Sequence, residues 1–206
     1  MSFDLTATSN DFLSRVGALA WSDVADWLTE DEVFGYFDEA AKRLAELGLF
    51  VSRETQTLAA ETSQYAMPGV WLDSIHTSVN GQQIRPSSAA ELLALDSLWQ
   101  QLACEPGQLP YRGSFDAGPL GTITLYPQPA AAAELETIDH VIPPPISTSA
   151  TTAPIPSVLS DYFLYFALRR ARGKESPYAM PEVAAAAASQ CELYEQILSV
   201  YWGGLE

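Results

Sequence analysis

The chain has 206 residues, with 26 acidic residues against 10 basic ones, a formal net charge of −16 and 48% apolar residues. This length suits one medium domain with extensions, and the apolar fraction is enough for a buried core. A protein this acidic does not hold DNA by neutralising its phosphates, so the composition argues against an ordinary DNA-binding protein.

Cysteine usage and the N-terminus point to an ordinary soluble protein made in the cytoplasm. Cys104 and Cys191 lie far apart in sequence without metal-ligand spacing, and we expect two buried thiols rather than a disulfide. The first residues have neither a basic segment nor an apolar run, which predicts no signal peptide. The longest apolar run is shorter than the ~20 residues of a membrane-spanning helix, so we expect no membrane partner.

The first segment, residues 1–48, predicts helices. Ser22-Asp23 is a typical cap for a short helix from Val24 to Leu28. Thr29-Glu30-Asp31-Glu32 forms a capping box, in which the Thr hydroxyl and the last carboxylate satisfy each other's backbone donors. The apolar residues that follow recur at helical spacing as far as Leu47, which predicts an amphipathic helix with one buried stripe.

The middle segment, residues 49–142, predicts strands and one short helix. Asn80-Gly81 favours a tight hairpin because both turn residues adopt positive φ. A second hairpin is expected around Asp116-Ala117-Gly118, and Ser88 with Glu91 forms a capping box for a helix ending at Leu95. The predicted strands are Leu49–Ala60, Ile75–Val79, Gln82–Ile84, Tyr111–Phe115, Gly121–Tyr126 and Leu135–Ile142.

Residues 143–156 are rich in Pro, Ser and Thr and predict an extended linker. Residues 157–206 then predict a helical hairpin that belongs to the same folding unit as the N-terminal helices. We therefore expect an α+β, mainly α fold: a bundle of N-terminal and C-terminal helices with a small antiparallel β-sheet insertion.

The first C-terminal helix is apolar on every side from Tyr162 to Leu168. A surface helix in a small monomer should show one apolar stripe and one polar face. We therefore expect other copies of the chain or another protein to cover this helix. The candidate residues for a subunit or portal-protein interface are Tyr162, Phe163, Tyr165, Phe166, Arg169, Arg170, Arg172 and Trp202.

The basic cluster from Arg169 to Lys174 has two interpretations. Cations at a helix C-terminus interact favourably with the helix dipole, and this structural role is the favoured one. The functional alternative is docking to an acidic helix of a neighbouring subunit, or contact with DNA phosphate. The sequence leaves both open.

No residue pattern predicts catalysis. His76 and His140 have no second ligand nearby in sequence, no Ser lies in a Gly-x-Ser-x-Gly turn, and no phosphate-binding glycine loop is present. The acidic run Glu30 to Glu32 lies in a helix first turn, where the dipole favours it. Cys191 is followed by Glu192. A neighbouring carboxylate raises the pKa of a thiol, so we expect Cys191 to be a poor nucleophile. We expect no enzyme activity, no catalytic residue, no metal and no cofactor.

Several short motifs occur in a consistent order from about Trp21 to Trp202. They are Trp21-Ser22-Asp23, Trp27-Leu28, Asp38-Glu39-Ala40, Val79-Asn80-Gly81, Glu91-Leu92, Leu95-Asp96, Trp99, Pro110-Tyr111, Gly121, Ile123, Leu125-Tyr126-Pro127-Gln128-Pro129, Asp161-Tyr162, Tyr165-Phe166-Ala167-Leu168 and Arg170-Ala171. In order and spacing they resemble the head-to-tail adaptor proteins, also called head completion or connector proteins, of tailed double-stranded-DNA phages.

This resemblance implies a structural virion protein at the neck, between head and tail. It implies a homo-oligomeric ring of about twelve copies that binds the portal protein and extends the DNA channel. The ring would present a platform to tail tube, nozzle or fibre proteins, and the genome would pass through without tight binding. The hairpin residues Asn80, Gly81, Asp116 and Gly118 are the candidates for contact with the tail, since loops carry contacts more often than strands.

Two other functions remain open at this point. The first is a small non-catalytic interaction module or assembly chaperone, acting as a monomer or dimer. The second is a peptidoglycan hydrolase, which would need a pair of carboxylic acids beside a saccharide groove. No acid pair in the sequence marks such a site.

Overall fold

The computed structural model describes residues 3–67, 70–118, 121–149, 152–153 and 155–203. The described chain forms five α-helices: α1 Leu5–Val16, α2 Glu30–Glu46, α3 Ala89–Leu95, α4 Ser160–Gly173 and α5 Pro181–Gly203. It also forms ten strands: β1 Phe3–Asp4, β2 Val51–Leu58, β3 Gln64–Ala66, β4 Val70–Val79, β5 Gln82–Gln83, β6 Arg85–Pro86, β7 Arg112–Ser114, β8 Thr122–Tyr126, β9 Ala133–Ile142 and β10 Thr152–Ala153.

The chain divides into two compact units. The helical unit contains residues 1–49 and 143–206, and the sheet unit contains residues 50–142. The two are described separately below.

The helical unit is built around α4. This helix packs against α5, α2 and α1, and β1 pairs antiparallel with β10 at the register Phe3 to Ala153. The ring of Phe163 lies 5.0 Å from that of Phe3 and 6.1 Å from that of Phe37, centroid to centroid. Residues from all four helices have no exposed surface: Leu5, Phe12, Val33, Phe37, Leu44, Tyr162, Phe163, Ala167 and Cys191.

The sheet unit contains two four-stranded sheets, in the orders β2-β9-β4-β5 and β3-β8-β7-β6. In the first sheet, β9 pairs antiparallel with β2 on one side and β4 on the other. Apolar side chains from both sheets form one core cluster, to which Leu58, Val79 and Leu135 contribute from the first sheet and Ile123 and Leu125 from the second.

The predicted fold class was wrong. Ten strands in three sheets occupy the described chain, so the protein is not a mainly helical bundle with a small sheet. The strands β4 and β9 are each ten residues long, and β6 pairs parallel with β7, so the sheets are not purely antiparallel. The local patterns identified most strands, but their lengths depend on pairing with distant segments, which a local pattern does not contain.

The N-terminal prediction also needs correction. It missed α1, although the Asp4 carboxylate caps the Ala7 N–H at 2.9 Å and Gly17 ends the helix at φ 82°. The expected helix from Val24 to Leu28 is absent from the described chain, and a short 3₁₀ helix at Trp21–Asp23 precedes that segment. The Asp23 carboxylate accepts from the backbone N–H groups of residues 19 and 20, so it closes the preceding turn instead of capping a following helix.

Other local predictions were confirmed. Thr29 and Ser88 cap α2 and α3 through complete capping boxes. Asn80 and Gly81 both have positive φ and join β4 to β5. The sequence Met67-Pro68-Gly69 also predicts a turn, but Pro68 and Gly69 lie outside the described residues.

Candidate interaction surfaces

The apolar residues of α4 are covered by the chain itself. Tyr162 and Phe163 have no exposed surface, and Phe166 is 7% exposed. The Tyr162 hydroxyl donates to Glu195 of α5 at 3.0 Å, and burial is the largest cause that raises the pKa of this phenol. These three side chains form the core of the helical unit, so the reason for expecting them at a subunit interface does not hold. Tyr165 is partly exposed on the same helix.

The basic cluster at the C-terminal end of α4, Arg169 to Lys174, is mostly used within the helical unit. The Arg172 guanidinium donates to the carbonyl groups of Val16 at 3.1 Å and Tyr178 at 3.2 Å. It also lies 4.9 Å from the ring centroid of Trp27. Burial lowers the pKa of Arg172, but the aromatic face and the two carbonyl groups stabilise its charge.

The neighbouring cations bind acidic residues of α2. Arg170 forms an ion pair with Glu39, and Lys174 lies 2.7 Å from Glu32. The Lys174 ammonium group is the largest cause that lowers the pKa of Glu32, followed by the Thr29 N–H. Among the described residues, Arg169 is the one cation of this cluster whose side chain is exposed and has no hydrogen-bond or ion-pair partner.

The last interface candidate, Trp202, belongs to α5, but its side chain lies outside what the structure describes. Five of the predicted interface residues are therefore already used within the helical unit: Tyr162, Phe163 and Phe166 by burial, Arg170 by its ion pair and Arg172 by its hydrogen bonds. Of the candidates on α4, Tyr165 and Arg169 keep surface for a partner without breaking a described ion pair.

A different face of α5 is apolar and exposed. Leu193 is 49% exposed, Ile197 57% and Val200 77%, and with three earlier exposed residues they alternate in steps of three and four. We call this face the α5 seam; it consists of Val183, Ala186, Gln190, Leu193, Ile197 and Val200. The spacing matches the a and d positions of a coiled coil. The sequence itself contains this spacing, but the predicted interface included only Trp202 from this helix.

The opposite side of α5 packs against the rest of the helical unit. Ala187 and Cys191 are buried there, and Tyr194 contacts Tyr162 edge-on at 6.1 Å. Burial, the largest cause, raises the pKa of Cys191 to about 11. Glu195 and Glu192 raise it less, so the neighbouring acid was a correct but minor reason for expecting a poor nucleophile.

The two candidate tail-contact turns lie in different sheets. Asn80 and Gly81 are exposed and connect strands of the first sheet, and the Asn80 side chain accepts from the Glu134 N–H at 2.8 Å. Between β7 and β8 of the second sheet, Asp116 is exposed and Gly118 is partly exposed. The two turns therefore do not lie at one end of a single sheet.

An open depression of about 440 Å³ lies beside Asp116. Leu93 of α3 and Leu98 after it are 58% and 63% exposed, and both line the depression. We call this site the leucine pocket; its other apolar lining residues are Ala89, Ala90, Trp99 and Ala117. The capping box predicts the helix around Leu92, but which of its leucines stay exposed depends on packing against distant segments.

The described residues offer little for catalysis or metal binding. No group of three or more His, Cys, Asp or Glu side chains among them could hold a metal ion. Both cysteines are free and buried, as predicted, and burial raises the pKa of Cys104. No described helix combines the length and the apolar character that crossing a membrane requires.

A protein-family model described as SU10 adaptor protein matches residues 7–201 of the chain. No curated protein matches the chain. The family match confirms the resemblance to phage head-to-tail adaptors and favours it over the chaperone and hydrolase alternatives. Membership indicates a structural, non-catalytic component of the virion that contacts other phage head and tail proteins. Since the match extends over nearly all of its length, the chain belongs to the SU10 adaptor protein family.

Proposed function

We propose that the chain is one subunit of a ring at the neck of the virion. In this proposal the ring binds the portal protein, extends the DNA channel and forms the platform on which the tail attaches. The ring contains about twelve copies, each in the same heterologous contact with the next.

The observation that carries this proposal is the α5 seam. A contiguous apolar helix face with coiled-coil spacing is stable in water when another helix covers it. No described part of the chain covers Leu193, Ile197 or Val200. In the proposed ring, a neighbouring subunit or the portal protein covers this face.

Gln190 is the one polar residue of the seam. A single polar residue at a core position of a coiled coil costs stability but fixes the register of the helices. A ring needs every subunit in the same register, so this residue supports a specific contact over a general apolar association. Tyr165, Arg169 and Trp202 remain proposed contacts of the same assembly.

The charge distribution supports a channel that does not bind the genome. The helical unit contains sixteen acidic and seven basic residues, and the sheet unit ten and three. Neither unit is basic, so the field of both opposes the approach of DNA phosphates.

The test replaces Ile197 by Asp in phage particles and in the purified protein. Ile197 is 57% exposed, so the variant should keep the helical content and melting temperature of the wild type. We expect imaging of the particles to show no ring at the portal. Gln196→Asp is the matched control, because it adds the same charge at the adjacent exposed position outside the seam, and it should leave the ring intact.

Two outcomes would contradict the proposal at different levels. If Ile197→Asp particles carry the ring as often as wild-type particles do, the α5 seam does not form the contact with a neighbouring subunit or with the portal protein. If wild-type particles do not carry this chain at the portal, the proposed adaptor-ring function is wrong.

A further inference from the structure

We propose that the leucine pocket of the sheet unit binds an amphipathic helical segment whose apolar side chains are flanked by Lys or Arg. The proposal rests on the proposed function in one respect: the segment belongs to another virion protein, one of the tail components that attach to the ring. It adds the chemistry of that partner and the residues that recognise it.

The pocket has the shape and the surface of a docking site. Its volume of about 440 Å³ has room for a few large apolar side chains, and it lies within the range of natural binding pockets. Leu93 and Leu98 expose more than half of their surface beside it. Leu92 is fully buried and Trp99 is 4% exposed, and both belong to a core cluster against which Ala117 of the pocket packs.

More leucine surface lies close by in sequence. Leu95 is 55% exposed and Leu102 is 43% exposed. Four exposed leucines within ten residues are more apolar surface than isolated exposed residues provide, and such concentrations mark interaction sites.

The charges around the pocket select the partner. Residues 87–111 contain Glu91, Asp96 and Glu105 and no Lys or Arg. The flanking cations Arg85 and Arg112 do not line the pocket, and Arg112 donates to the Ser87 hydroxyl at 3.1 Å. Asp116 lines the pocket itself. Hydrogen bonds from the Ser114 hydroxyl and the Ala89 N–H lower the pKa of Asp116, so this carboxylate is anionic at neutral pH. Cationic side chains on the partner therefore match the rim, while acidic ones are repelled.

A second copy of this chain fits the pocket poorly. Each copy has a net charge of −16, and its exposed apolar helix, α5, contains Glu182, Glu192 and Glu195 but no Lys or Arg. Docking α5 into the pocket would bring carboxylates towards an acidic rim. An amphipathic helix with basic flanks satisfies both the apolar pocket and the charge, in the helix-in-groove mode of recognition.

The binding experiment uses two synthetic peptide probes with the same leucine positions. One carries lysine and the other glutamate at all remaining positions, and each has a fluorescent label for anisotropy titration against the full-length protein. We expect the Leu/Lys peptide to bind and the Leu/Glu peptide not to bind. The double variant Leu93→Gln with Leu98→Gln should weaken binding of the Leu/Lys peptide about tenfold or more, because two apolar contacts are lost while every charge is kept.

The matched control removes two exposed apolar side chains elsewhere. Leu193→Gln with Ile197→Gln changes the α5 seam and also keeps all charges, so it should bind the Leu/Lys peptide as the wild type does. Equal weakening by both double variants, or none by the pocket variant, would overturn the proposal. Hydrogen exchange of the wild type needs no variant: the peptide should slow amide exchange in residues 89–101, and protection confined to other segments would also overturn it.

Imaging of phage particles distinguishes this inference from the proposed function. Phage with Leu93→Gln and Leu98→Gln should carry the ring at the portal and lack the tail. Particles that lack the ring would show that a second copy covers the pocket, and particles with complete tails would show that no essential partner docks there; either result overturns the inference. An absence of rings in the wild type would instead contradict the adaptor-ring function.

Discussion

The helical unit and the sheet unit satisfy their polar groups to different degrees. In the helical unit, buried polar side chains have partners: the Arg172 guanidinium binds two carbonyl groups, and the Thr8 hydroxyl donates to the Asp4 carbonyl at 2.9 Å. In the sheet unit, Thr124, Thr137 and Asp139 each bury an oxygen atom that has no hydrogen-bond partner among the described residues. Buried polar atoms without partners cost stability, whereas satisfied ones make a fold specific.

The same comparison holds for apolar surface. The segment with the most apolar sequence, Tyr162 to Leu168, is among the best covered parts of the chain. The exposed apolar surface lies instead on the outer face of α5 and beside α3. Apolar sequence therefore indicates burial but does not distinguish burial within one chain from burial between chains.

The largest expected effect is a loss of stability in the helical unit. Arg172→Ala should lower the free energy of unfolding by about 2–3 kcal/mol, because it removes a cation–π contact and two charged hydrogen bonds and leaves two carbonyl groups without partners. Chemical denaturation followed by circular dichroism measures the difference.

Arg169→Ala is the control for this comparison. It removes the same side chain from an exposed position three residues earlier, and it should change stability by no more than about 0.5 kcal/mol. Similar losses in the two variants would show that the basic cluster acts through its overall charge, and the contacts of Arg172 would then not explain its burial.

Local signals predicted the points at which chain direction or structure changes. The capping boxes at Thr29 and Ser88 and the turn at Asn80-Gly81 depend on residues within three positions of one another, so the sequence contains all of their physics. The same kind of signal was available for α1 in Asp4 and Gly17, and it was overlooked.

The parts that could not be predicted depend on distant residues. The cover on α4 comes from α1, α2 and α5, and the glutamate that binds the Tyr162 hydroxyl is 33 residues away. Which face of α5 remains exposed follows from that packing. The leucine pocket likewise combines α3 with Ala117 of a turn between two later strands, and a one-dimensional pattern does not contain that proximity.

A smaller change in the free energy of unfolding should have opposite signs in the two units. Thr137→Val in the sheet unit should raise the free energy of unfolding by about 1 kcal/mol, because valine has nearly the same shape and removes a buried hydroxyl to which no described residue is hydrogen-bonded. Thr8→Val in the helical unit should lower it by about 1 kcal/mol, because it deletes a hydrogen bond. Hydrogen exchange assigns each change to its unit, and a loss of stability in Thr137→Val would mean that the hydroxyl has a partner such as a buried water.

The smallest expected effect is on DNA, for which we expect no measurable affinity at physiological salt. Non-specific binding depends on Lys and Arg side chains that release counterions from phosphates. Only 10 of the 206 residues are basic, and six of them already bind carboxylates: Arg15, Lys42, Arg43, Arg53, Arg170 and Lys174. A fluorescence titration of labelled duplex DNA with the purified protein measures the affinity. Arg169→Ala is the companion variant, because no described residue forms a hydrogen bond or ion pair with the Arg169 side chain. Micromolar binding that weakens steeply with added salt and is lost in Arg169→Ala would show that one exposed cation outweighs the surrounding acidic field, and the channel could then no longer be regarded as passive toward the genome.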